Sequence, residues 1–288
     1  MPTSGVYILS QTTAFQLAGI IGFPVAQSRS PVIQNFWLEQ HGLAGRYVPI
    51  AVTPDRLERA LKGLPVLGFR GCNVTMPLKQ DVMPFLDVVD PMARRIGAVN
   101  TIVVQPDGTL RGFNNDGVGF VQSVRDTAPD WRPEAGPVLV LGAGGASRAV
   151  VVALLEAGVP RIMVANRTLG RAEEMAGAIG GPVSIVPWEQ RDDAMADMAL
   201  VVNATDRGMA GKPALDVSFA KLAPGAIVGD LIYIPLETPF LAAARERGNV
   251  TVNGLGLLLN QARLAFEAWF GVRPEITPAL LQAVAATF

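Results

Sequence analysis

The sequence predicts an α/β protein made of two α/β units, the second of which is doubly wound around a parallel sheet. Short apolar runs alternate with helix-like segments from Leu17 onward, at the spacing of βαβ units. Apolar residues make up 50% of the chain and charged residues 17%, which suits parallel strands covered on both faces. The length of 288 residues adds an expectation of two domains.

The elements of the first unit follow from their apolar runs and their end signals. Strands are predicted at residues 17–22, 46–52 and 69–74, with the sequences LAGIIG, RYVPIAV and FRGCNV. The first helix is predicted with Ser30 as N-cap, Pro31 at its first position and Gly42 after its end. A second helix begins with the same cap-and-proline pattern at Thr53, and VNTIVVQPDGTLRGF predicts a hairpin that turns at Asp107–Gly108.

A segment rich in proline and aspartate, residues 126–137, precedes the second unit. Its five predicted strands lie in VLVLGAGG, RIMVANR, VSIVP, MALVVNAT and AIVGDLIY. Two amphipathic helices, GLGLLLNQARLAFEAWFG and TPALLQAVAATF, end the chain and need a surface to pack on, so we expect them to fold back on the first unit. The predicted domains are therefore residues 1–115 with 255–288, and residues 116–254, and the residues up to about Thr13 are predicted to form a loose extension.

Composition excludes several functional classes. Lys plus Arg number 24 and Asp plus Glu 25, so no basic excess exists to drive nucleic-acid binding. One cysteine, Cys72, and one histidine, His41, make a disulfide framework, a zinc cluster and a Ser-His-Asp triad improbable. We interpret Cys72 as a buried inert thiol and His41 as a residue at a helix C-terminus.

The sequence also gives an expectation about location and partners. No apolar run is long enough to span a bilayer, and no Lys or Arg precedes Arg29 to form the basic region of a signal peptide. We therefore predict a cytoplasmic protein with a small-molecule substrate and no metal, membrane or nucleic-acid partner. The expected oligomeric state is a monomer or a homodimer.

The glycine-rich segment GAGGAS predicts a dinucleotide site. Gly142 and Gly144 occupy the first two positions of the Rossmann fingerprint, with Ser147 at the third. The apolar run from Val138 comes before it and the helical pattern ASRAVVVALLEAG follows, so the glycines would lie between a strand and a helix N-terminus that accepts a pyrophosphate. An ordinary tight strand–helix turn is the alternative.

The sequence resembles the shikimate dehydrogenase family from Gly19 to about Gly271. The motifs that carry the resemblance are GFPVAQSRSP, NVTMPLK, GAVNT, NNDGVGF, GAGGASRA, NRTLGRAEE, NAT followed by GM, DLIYIPLETPFL and NGLGLLLNQA. The resemblance implies a substrate domain and an NADP domain around a cleft. It also implies reduction of 3-dehydroshikimate to shikimate with NADPH, in the pathway to the aromatic amino acids.

The resemblance assigns roles to residues at matching positions. It implies that Lys79 and Asp116 are the catalytic pair. It implies contacts with the substrate by Ser28 and Ser30 to the carboxylate, by Thr75, Asn100 and Gln261 to hydroxyl groups, and by Tyr233 at the carboxylate end. It implies cofactor contacts by Gly142, Ala143, Gly144, Gly145, Ala146, Asn166, Arg167, Thr168, Arg171, Thr205 and Gly254.

The chain departs from the family pattern at a few positions. The family usually has His where Gln27 and Gln34 stand, and Thr where Asn115 stands before Asp116. Its small residue after NAT is replaced by Asp206, with Arg207 next. The first three changes are expected near the substrate pocket, where they bear on which substrate is used.

Simple chemistry supports the catalytic pair but leaves other interpretations open. A ketone that accepts a hydride becomes an alkoxide and needs a proton or a positive charge. Lys79 follows a predicted strand and could point into a cleft or lie on the surface. Asp116 and Ser30 could instead be helix N-caps, and Gln261 a solvent-facing helix residue.

The segment after the second Rossmann strand predicts NADP rather than NAD. A carboxylate that binds the ribose hydroxyls is expected there, but the chain has Asn166, Arg167 and Thr168, with Arg171 one turn later. A carboxylate would repel the 2′-phosphate of NADP, whereas Arg167 can present a planar fork to it and Thr168 can cap the next helix. Arg171 could join Arg167 on the phosphate or pair with Glu173 or Glu174.

Two alternatives to a shikimate dehydrogenase stay open from the sequence. One is a paralogue acting on quinate or a related cyclitol acid, which the changes at Gln27, Gln34 and Asn115 favour. The other is a non-catalytic NADP-binding sensor on the same fold, against which the retention of Lys79 and Asp116 argues.

Overall fold

The computed structural model describes residues 15–288, and the predicted N-terminal extension lies outside the described residues. The strands are β1 Gln16–Gly22, β2 Gly45–Ala51, β3 Phe69–Val74, β4 Val88–Val89, β5 Thr101–Val104, β6 Leu110–Phe113, β7 Val138–Leu141, β8 Ile162–Ala165, β9 Val183–Val186, β10 Leu200–Asn203, β11 Ile227–Asp230 and β12 Thr251–Val252. The helices are α1 Ser30–Gln40, α2 Leu57–Val66, α3 Pro91–Ile96, α4 Asp116–Thr127, α5 Gly145–Glu156, α6 Leu169–Ile179, α7 Pro239–Glu246, α8 Gly254–Phe270 and α9 Pro278–Ala285.

The first sheet is mixed, with the strand order β2-β1-β3-β5-β6-β4. Strand β1 pairs in parallel with β2 and β3, whereas β5 pairs antiparallel with β3 and β6. Strands β5 and β6 form the predicted hairpin, and Gly108 in its turn has the positive φ of 86° that glycine adopts without strain. This hairpin makes the first sheet less parallel than the βαβ spacing predicted.

The second sheet is parallel throughout, with the order β12-β11-β10-β7-β8-β9. The chain runs outward from β7 in one direction and then returns to continue from β10 on the other side. This reversal beside β7 is a topological switch point, where open parallel sheets bind ligands at the carboxyl ends of their strands. The predicted doubly wound unit is thereby confirmed.

The two C-terminal helices pack on the first unit, as the sequence predicted. Phe266 of α8 and Leu280 of α9 are fully buried in one apolar cluster with Trp37 of α1 and Ala18 of β1. Helix α4 lies between α5 and α8 and so joins the two units. The domain boundaries themselves stay a prediction.

Several element ends differ from the prediction. Ser30 is the first residue of α1 rather than its N-cap; Arg29 occupies the cap position, and no side-chain hydrogen bond caps the helix. The second helix begins with a 3₁₀ turn, Pro54–Arg56, before α2. The short elements β4, α3 and β12 were not predicted, since two to six residues are too few to show a periodicity.

Candidate active site

A cavity of about 190 Å³ lies between the two units. The first unit and α8 contribute Ile20, Ser28, Ser30, Asn73, Val74, Thr75, Lys79, Asn100, Leu257, Leu258 and Gln261 to its wall, and the rest of the wall is Asp116, Ala146, Leu231 and Tyr233. All eight residues predicted to bind the substrate or to carry out catalysis therefore face one space. We call it the substrate cavity.

Lys79 and Asp116 form an ion pair at this cavity. The ammonium Nζ of Lys79 lies 2.6 Å from Oδ2 of Asp116, and the two side chains are 23% and 11% exposed. Asp116 is the first residue of α4 and makes no cap hydrogen bond with its carboxylate, so the alternative of an N-cap is wrong. A partly dry ammonium–carboxylate pair can donate or accept one proton at a substrate oxygen.

Asn100 holds the other oxygen of the Asp116 carboxylate. Its Nδ2 donates to Asp116 Oδ1 over 2.7 Å, and the same nitrogen lies 3.5 Å from Oε1 of Gln261. Asn100 is 2% exposed and Gln261 6%. Gln261 therefore points into the interior, and the alternative of a solvent-facing side chain is wrong.

Three hydroxyl groups, those of Ser28, Ser30 and Tyr233, also line the cavity. Ser28 Oγ accepts a hydrogen bond from the backbone N–H of Ser30 over 3.2 Å. Burial raises the pKa of the Tyr233 phenol, with Arg29 opposing the shift, so this O–H stays protonated at neutral pH. Three hydroxyl groups that can donate hydrogen bonds suit a carboxylate ligand.

One polar residue of the wall, Asn73, was missed by the sequence analysis. It is 4% exposed and lies on β3 two residues before Thr75. Alternate residues of a strand share a face, so the assignment of Thr75 to the cavity could have indicated Asn73 as well.

Three of the positions where the chain departs from the family pattern, Gln27, Gln34 and Asn115, do not line the substrate cavity. Gln27 is exposed, and its Nε2 donates to Pro24 O. Gln34 is fully buried and donates to the backbone carbonyl of Ala262, next to Gln261. The Asn115 side chain donates to the Thr101 hydroxyl over 3.2 Å. Their effect on a substrate is therefore indirect.

A second cavity, of about 540 Å³, opens at the switch point beside β7, and we call it the cofactor cavity. Its wall consists of Met76, Gly142, Ala143, Gly144, Asn166, Arg167, Arg171, Trp188, Arg191, Ala204, Thr205, Asp206, Arg207, Ala214, Leu215 and Asp216. Seven of the eleven predicted cofactor residues are among these. Ala146 instead lines the substrate cavity, while Gly145, Thr168 and Gly254 are absent from both walls.

The glycine loop fits a pyrophosphate. Gly142 has a φ of +112° and lies so close to Ala204 that a Cβ there would be 2.9 Å from its carbonyl oxygen. A Cβ at Gly144 would meet nothing within 4 Å, so open space lies in front of α5. Helix α5 begins at Gly145, and the N–H groups of its first turn have no partner within the helix.

The basic residues of the cofactor cavity fit a phosphate. Among residues 15–288, no salt bridge involves Arg167 or Arg171. Glu174, one of the two alternative partners considered for Arg171, pairs instead with Arg148 over 2.8 Å. Thr168 is at the N-cap of α6, but its hydroxyl makes no cap hydrogen bond; Asn166 Nδ2 donates to its carbonyl over 2.8 Å.

Two further arginines in this wall were not predicted as cofactor residues. Arg191 stacks on Trp188 at 4.6 Å and donates twice to the carbonyl of Asp216, which fixes one side of the cavity. Arg207, whose role the sequence left open, also lines the cavity. No motif marks Arg191 in the sequence, because this residue follows the short 3₁₀ turn Trp188–Gln190.

The residues set aside in the sequence analysis lie away from both cavities. His41 is the exposed C-cap of α1. Cys72 is fully buried, and burial raises the pKa of its thiol to about 12, which accords with an inert thiol. Among residues 15–288, no helix is long and apolar enough to cross a membrane.

A doubly wound parallel sheet with a basic cavity at its switch point, next to a cavity that holds a Lys–Asp pair, defines a dinucleotide-dependent oxidoreductase of two units. Family models agree with this class: residues 20–102 match the shikimate dehydrogenase substrate binding domain, and residues 131–210 match shikimate / quinate 5-dehydrogenase. The chain belongs to the shikimate dehydrogenase family.

Individual relatives span almost the whole chain. A shikimate dehydrogenase (NADP(+)) of Rhodospirillum rubrum is 52% identical over 273 residues, which is 93% of this chain and 96% of that protein. The shikimate 5-dehydrogenase of Thermus thermophilus, solved with NADP(H) and shikimate, has a TM-score of 0.85 and 38% identity, covering 95% of this chain and 100% of that one. A quinate dehydrogenase of Corynebacterium glutamicum, solved with NAD, has a TM-score of 0.85 and 33% identity, covering 93% and 97%.

Proposed function

We propose that this chain is an NADP-dependent shikimate dehydrogenase that reduces 3-dehydroshikimate to shikimate. The observation that carries the proposal is the substrate cavity, where the Lys79–Asp116 pair lies among the hydroxyl and amide groups that a polyhydroxylated ring acid needs. Relatives at about half identity that carry this activity support it. A non-catalytic sensor would have no use for the ion pair.

Different residues of the substrate cavity bind different groups of the substrate. Ser28, Ser30 and Tyr233 bind the carboxylate with hydroxyl donors. Thr75, Asn100 and Gln261 hold the ring hydroxyls, and the neighbouring apolar wall keeps water from the reacting carbon. Fixed partners of this kind favour one arrangement of hydroxyls over another, because a buried polar group left unpaired is costly.

Lys79 and Asp116 move the proton of the reaction. NADPH, when bound, supplies the hydride. The oxygen of the substrate carbonyl gains negative charge as the hydride arrives, and the Lys79–Asp116 pair transfers a proton to it. In the reverse direction the same pair removes the hydroxyl proton. The two groups are 2.6 Å apart and act as one proton-holding unit.

The cofactor cavity explains the choice of NADP. The glycine loop and the N-terminus of α5 would hold the pyrophosphate of bound NADP, and Arg167 and Arg171 would bind its 2′-phosphate. The cytoplasmic location and the monomeric or homodimeric state belong to this proposal as predictions of the sequence.

The test is a steady-state assay of the purified full chain with shikimate and with quinate, each with NADP and with NAD. We expect the highest kcat/KM for shikimate with NADP. A higher value for quinate contradicts the proposal and favours the paralogue, for which the likeness to a quinate dehydrogenase is the supporting observation. Absence of turnover with all four combinations, together with measurable NADP binding, favours the sensor.

A further inference from the structure

A buried network of hydrogen bonds lies behind the Asp116 side of the substrate cavity. It consists of the side chains of Tyr47, Asn73, Asn100, Thr101 and Asn115. Tyr47, Asn73, Asn100 and Thr101 are each no more than 4% exposed. Neither Thr101 nor Asn115 lines the substrate cavity.

The hydroxyl of Thr101 has its direction fixed by two neighbours. Its Oγ1 accepts from Asn73 Nδ2 and from Asn115 Nδ2, each over 3.2 Å. A hydroxyl has two acceptor lone pairs and one proton, so both lone pairs are occupied. The proton is then left for Oδ1 of Asn100, which lies 2.8 Å away.

This arrangement fixes the Asn100 carboxamide. Its Oδ1 accepts from the Thr101 hydroxyl and from the backbone N–H of Asn115, which is 2.9 Å away. Its Nδ2 faces Asp116 Oδ1 at 2.7 Å. A flipped amide would place N–H groups against two donors and an oxygen against the carboxylate, and each mismatch in a buried site costs free energy.

The far end of the network is also a donor. The phenol O–H of Tyr47 donates to Asn73 Oδ1 over 2.7 Å, which turns Asn73 Nδ2 toward Thr101. Burial raises the pKa of this phenol well above its usual range, so the O–H keeps its proton. Every donor along the path therefore points from Tyr47 toward Asp116.

We propose that Thr101 and Asn115 are positioning residues, which fix the Asn100 carboxamide and through it hold the Asp116 carboxylate in place against Lys79. The inference rests on the proposed function, since it assumes that the Lys79–Asp116 pair transfers the proton. It also gives Asn115 a role: the position acts through the Thr101 hydroxyl and not by touching the substrate.

Thr101→Val tests the hydroxyl, because valine keeps the shape and removes the donor. We expect kcat with shikimate to fall about 10- to 100-fold, the loss that follows a small misplacement of reacting groups. The Kd for NADP, measured by calorimetry, should stay within about 2-fold, because a hydroxyl behind the substrate cavity does not contact the cofactor. Thr101→Ser restores the hydroxyl and should bring kcat back to within about 3-fold of the wild type, under 1 kcal/mol of barrier.

The matched control is Thr109→Val on the same hairpin. The Thr109 hydroxyl also makes a hydrogen bond, of 2.7 Å to Asp107, but lies away from the cavity. The kcat of Thr109→Val should equal that of the wild type. An unchanged kcat in Thr101→Val overturns the inference, as does a loss in Thr101→Ser equal to that in Thr101→Val, which shows a packing role.

The pair Thr101 and Asn115 gives a second test. Asn115→Ala should lower kcat about 3- to 10-fold, less than Thr101→Val, because the backbone N–H of Asn115 still holds Asn100. The double variant should be no slower than Thr101→Val alone, since both changes act through one hydroxyl. Losses that multiply show independent roles and overturn the inference.

A crystal structure of Thr101→Val separates this inference from the proposed function. The expected result is an Asn100 carboxamide rotated away from, or more distant from, Asp116 than the 2.7 Å of the wild type. An Asn100 that stays in place overturns the inference whatever the activity. Wild-type protein that does not oxidise shikimate with NADP refutes the proposed function, and the structural result is then still decisive for the network.

Discussion

At the residue scale, the Lys79–Asp116 pair owes its position to elements far apart in the chain. Lys79 comes after β3, whereas Asp116 is the first residue of α4, which follows β6. The sequence could not show that these two side chains meet, because 37 positions separate them. The family resemblance predicted that Lys79 and Asp116 act together, and the structure places the Lys79 ammonium 2.6 Å from the Asp116 carboxylate.

Loss of the Lys79 ammonium should remove the proton transfer and leave cofactor binding intact. We expect Lys79→Ala to lower kcat about 10²- to 10⁴-fold, the usual contribution of a general acid–base group. Steady-state kinetics and calorimetry with NADP measure the two effects. Lys62→Ala is the matched control, since that lysine pairs with Glu58 on the surface. A kcat for Lys79→Ala within about 3-fold of the wild type would remove Lys79 from the mechanism, since that is under 1 kcal/mol of barrier.

Cofactor choice should depend on Arg167. A charge-assisted contact with the 2′-phosphate is worth about 1.5–3 kcal/mol, so Arg167→Ala should weaken NADP about 10- to 150-fold and leave NAD nearly unchanged. Titration of both cofactors against the wild type and the variant measures this. The comparison variant is Arg148→Ala, which removes an arginine that pairs with Glu174 and does not line the cavity. Equal weakening of NADP and NAD in Arg167→Ala contradicts the assignment.

At the element scale, α4 determines how the two units meet. It packs closely on both neighbours through its glycines: a Cβ at Gly117 would lie 2.0 Å from the carbonyl oxygen of Ala149 on α5, and one at Gly119 would lie 2.9 Å from the backbone nitrogen of Gln261 on α8. Asp116 and Gln261 reach one cavity because these helices approach so closely. The motif NNDGVGF therefore has a packing reason as well as the proposed catalytic one.

A methyl group at Gly119 should separate α4 from α8. We expect Gly119→Ala to destabilise the protein by about 1–3 kcal/mol, the cost of overpacking, and to raise KM for shikimate by moving Gln261. Urea unfolding and kinetics give the two values. The control is Gly177→Ala in α6, where a Cβ meets nothing within 4 Å and the change should stabilise by about 0.5–1 kcal/mol. A Gly119→Ala variant with wild-type stability and KM contradicts this account of α4.

The strands could be predicted better than the helix starts. Runs such as VLVL and LVV are apolar on both faces, and the structure buries every residue of β7 and β10. Helix starts depend on hydrogen bonds that many sequences can make: Ser30 is followed by Pro31, yet Arg29 occupies the cap. Contacts such as Asn115 with Thr101 depend on tertiary packing, and the sequence showed Asn115 only as a departure from its relatives.

At the scale of the whole molecule, the two units are held together by more than α4. Arg95 of α3 donates to Glu156 of α5 over 2.5 Å and to the carbonyl of Ile179 at the end of α6 over 3.1 Å. Residues of both units also line the substrate cavity. The second unit therefore forms part of the site. A buried carboxyl group, that of Asp230, lies at the carboxyl end of the sheet of this unit.

Asp230 should make stability depend on pH in the opposite sense to most carboxyl groups. It is fully buried at the end of β11 and accepts hydrogen bonds from Asn203, Ile232 and Thr238. Burial raises its pKa from 3.8 to about 6, against the effect of those hydrogen bonds. Between pH 4 and 6 the folded state holds more protons than the unfolded state, so the contribution of Asp230 to stability is complete below about pH 4 and is lost as the pH rises through 6.

Urea unfolding of wild type and Asp230→Asn from pH 4 to pH 7 measures this contribution. The shift corresponds to about 3 kcal/mol, so the variant should gain up to that amount relative to the wild type as the pH rises. Asp107→Asn is the control of opposite sign: hydrogen bonds from Thr109 lower the pKa of this exposed carboxyl, and its stabilising contribution is lost as the pH falls. If the free energies of unfolding of wild type and Asp230→Asn change with pH in parallel, Asp230 has the same pKa in the folded and unfolded states. The hydrogen bonds from Asn203, Ile232 and Thr238 would then fully offset the cost of burying its charge.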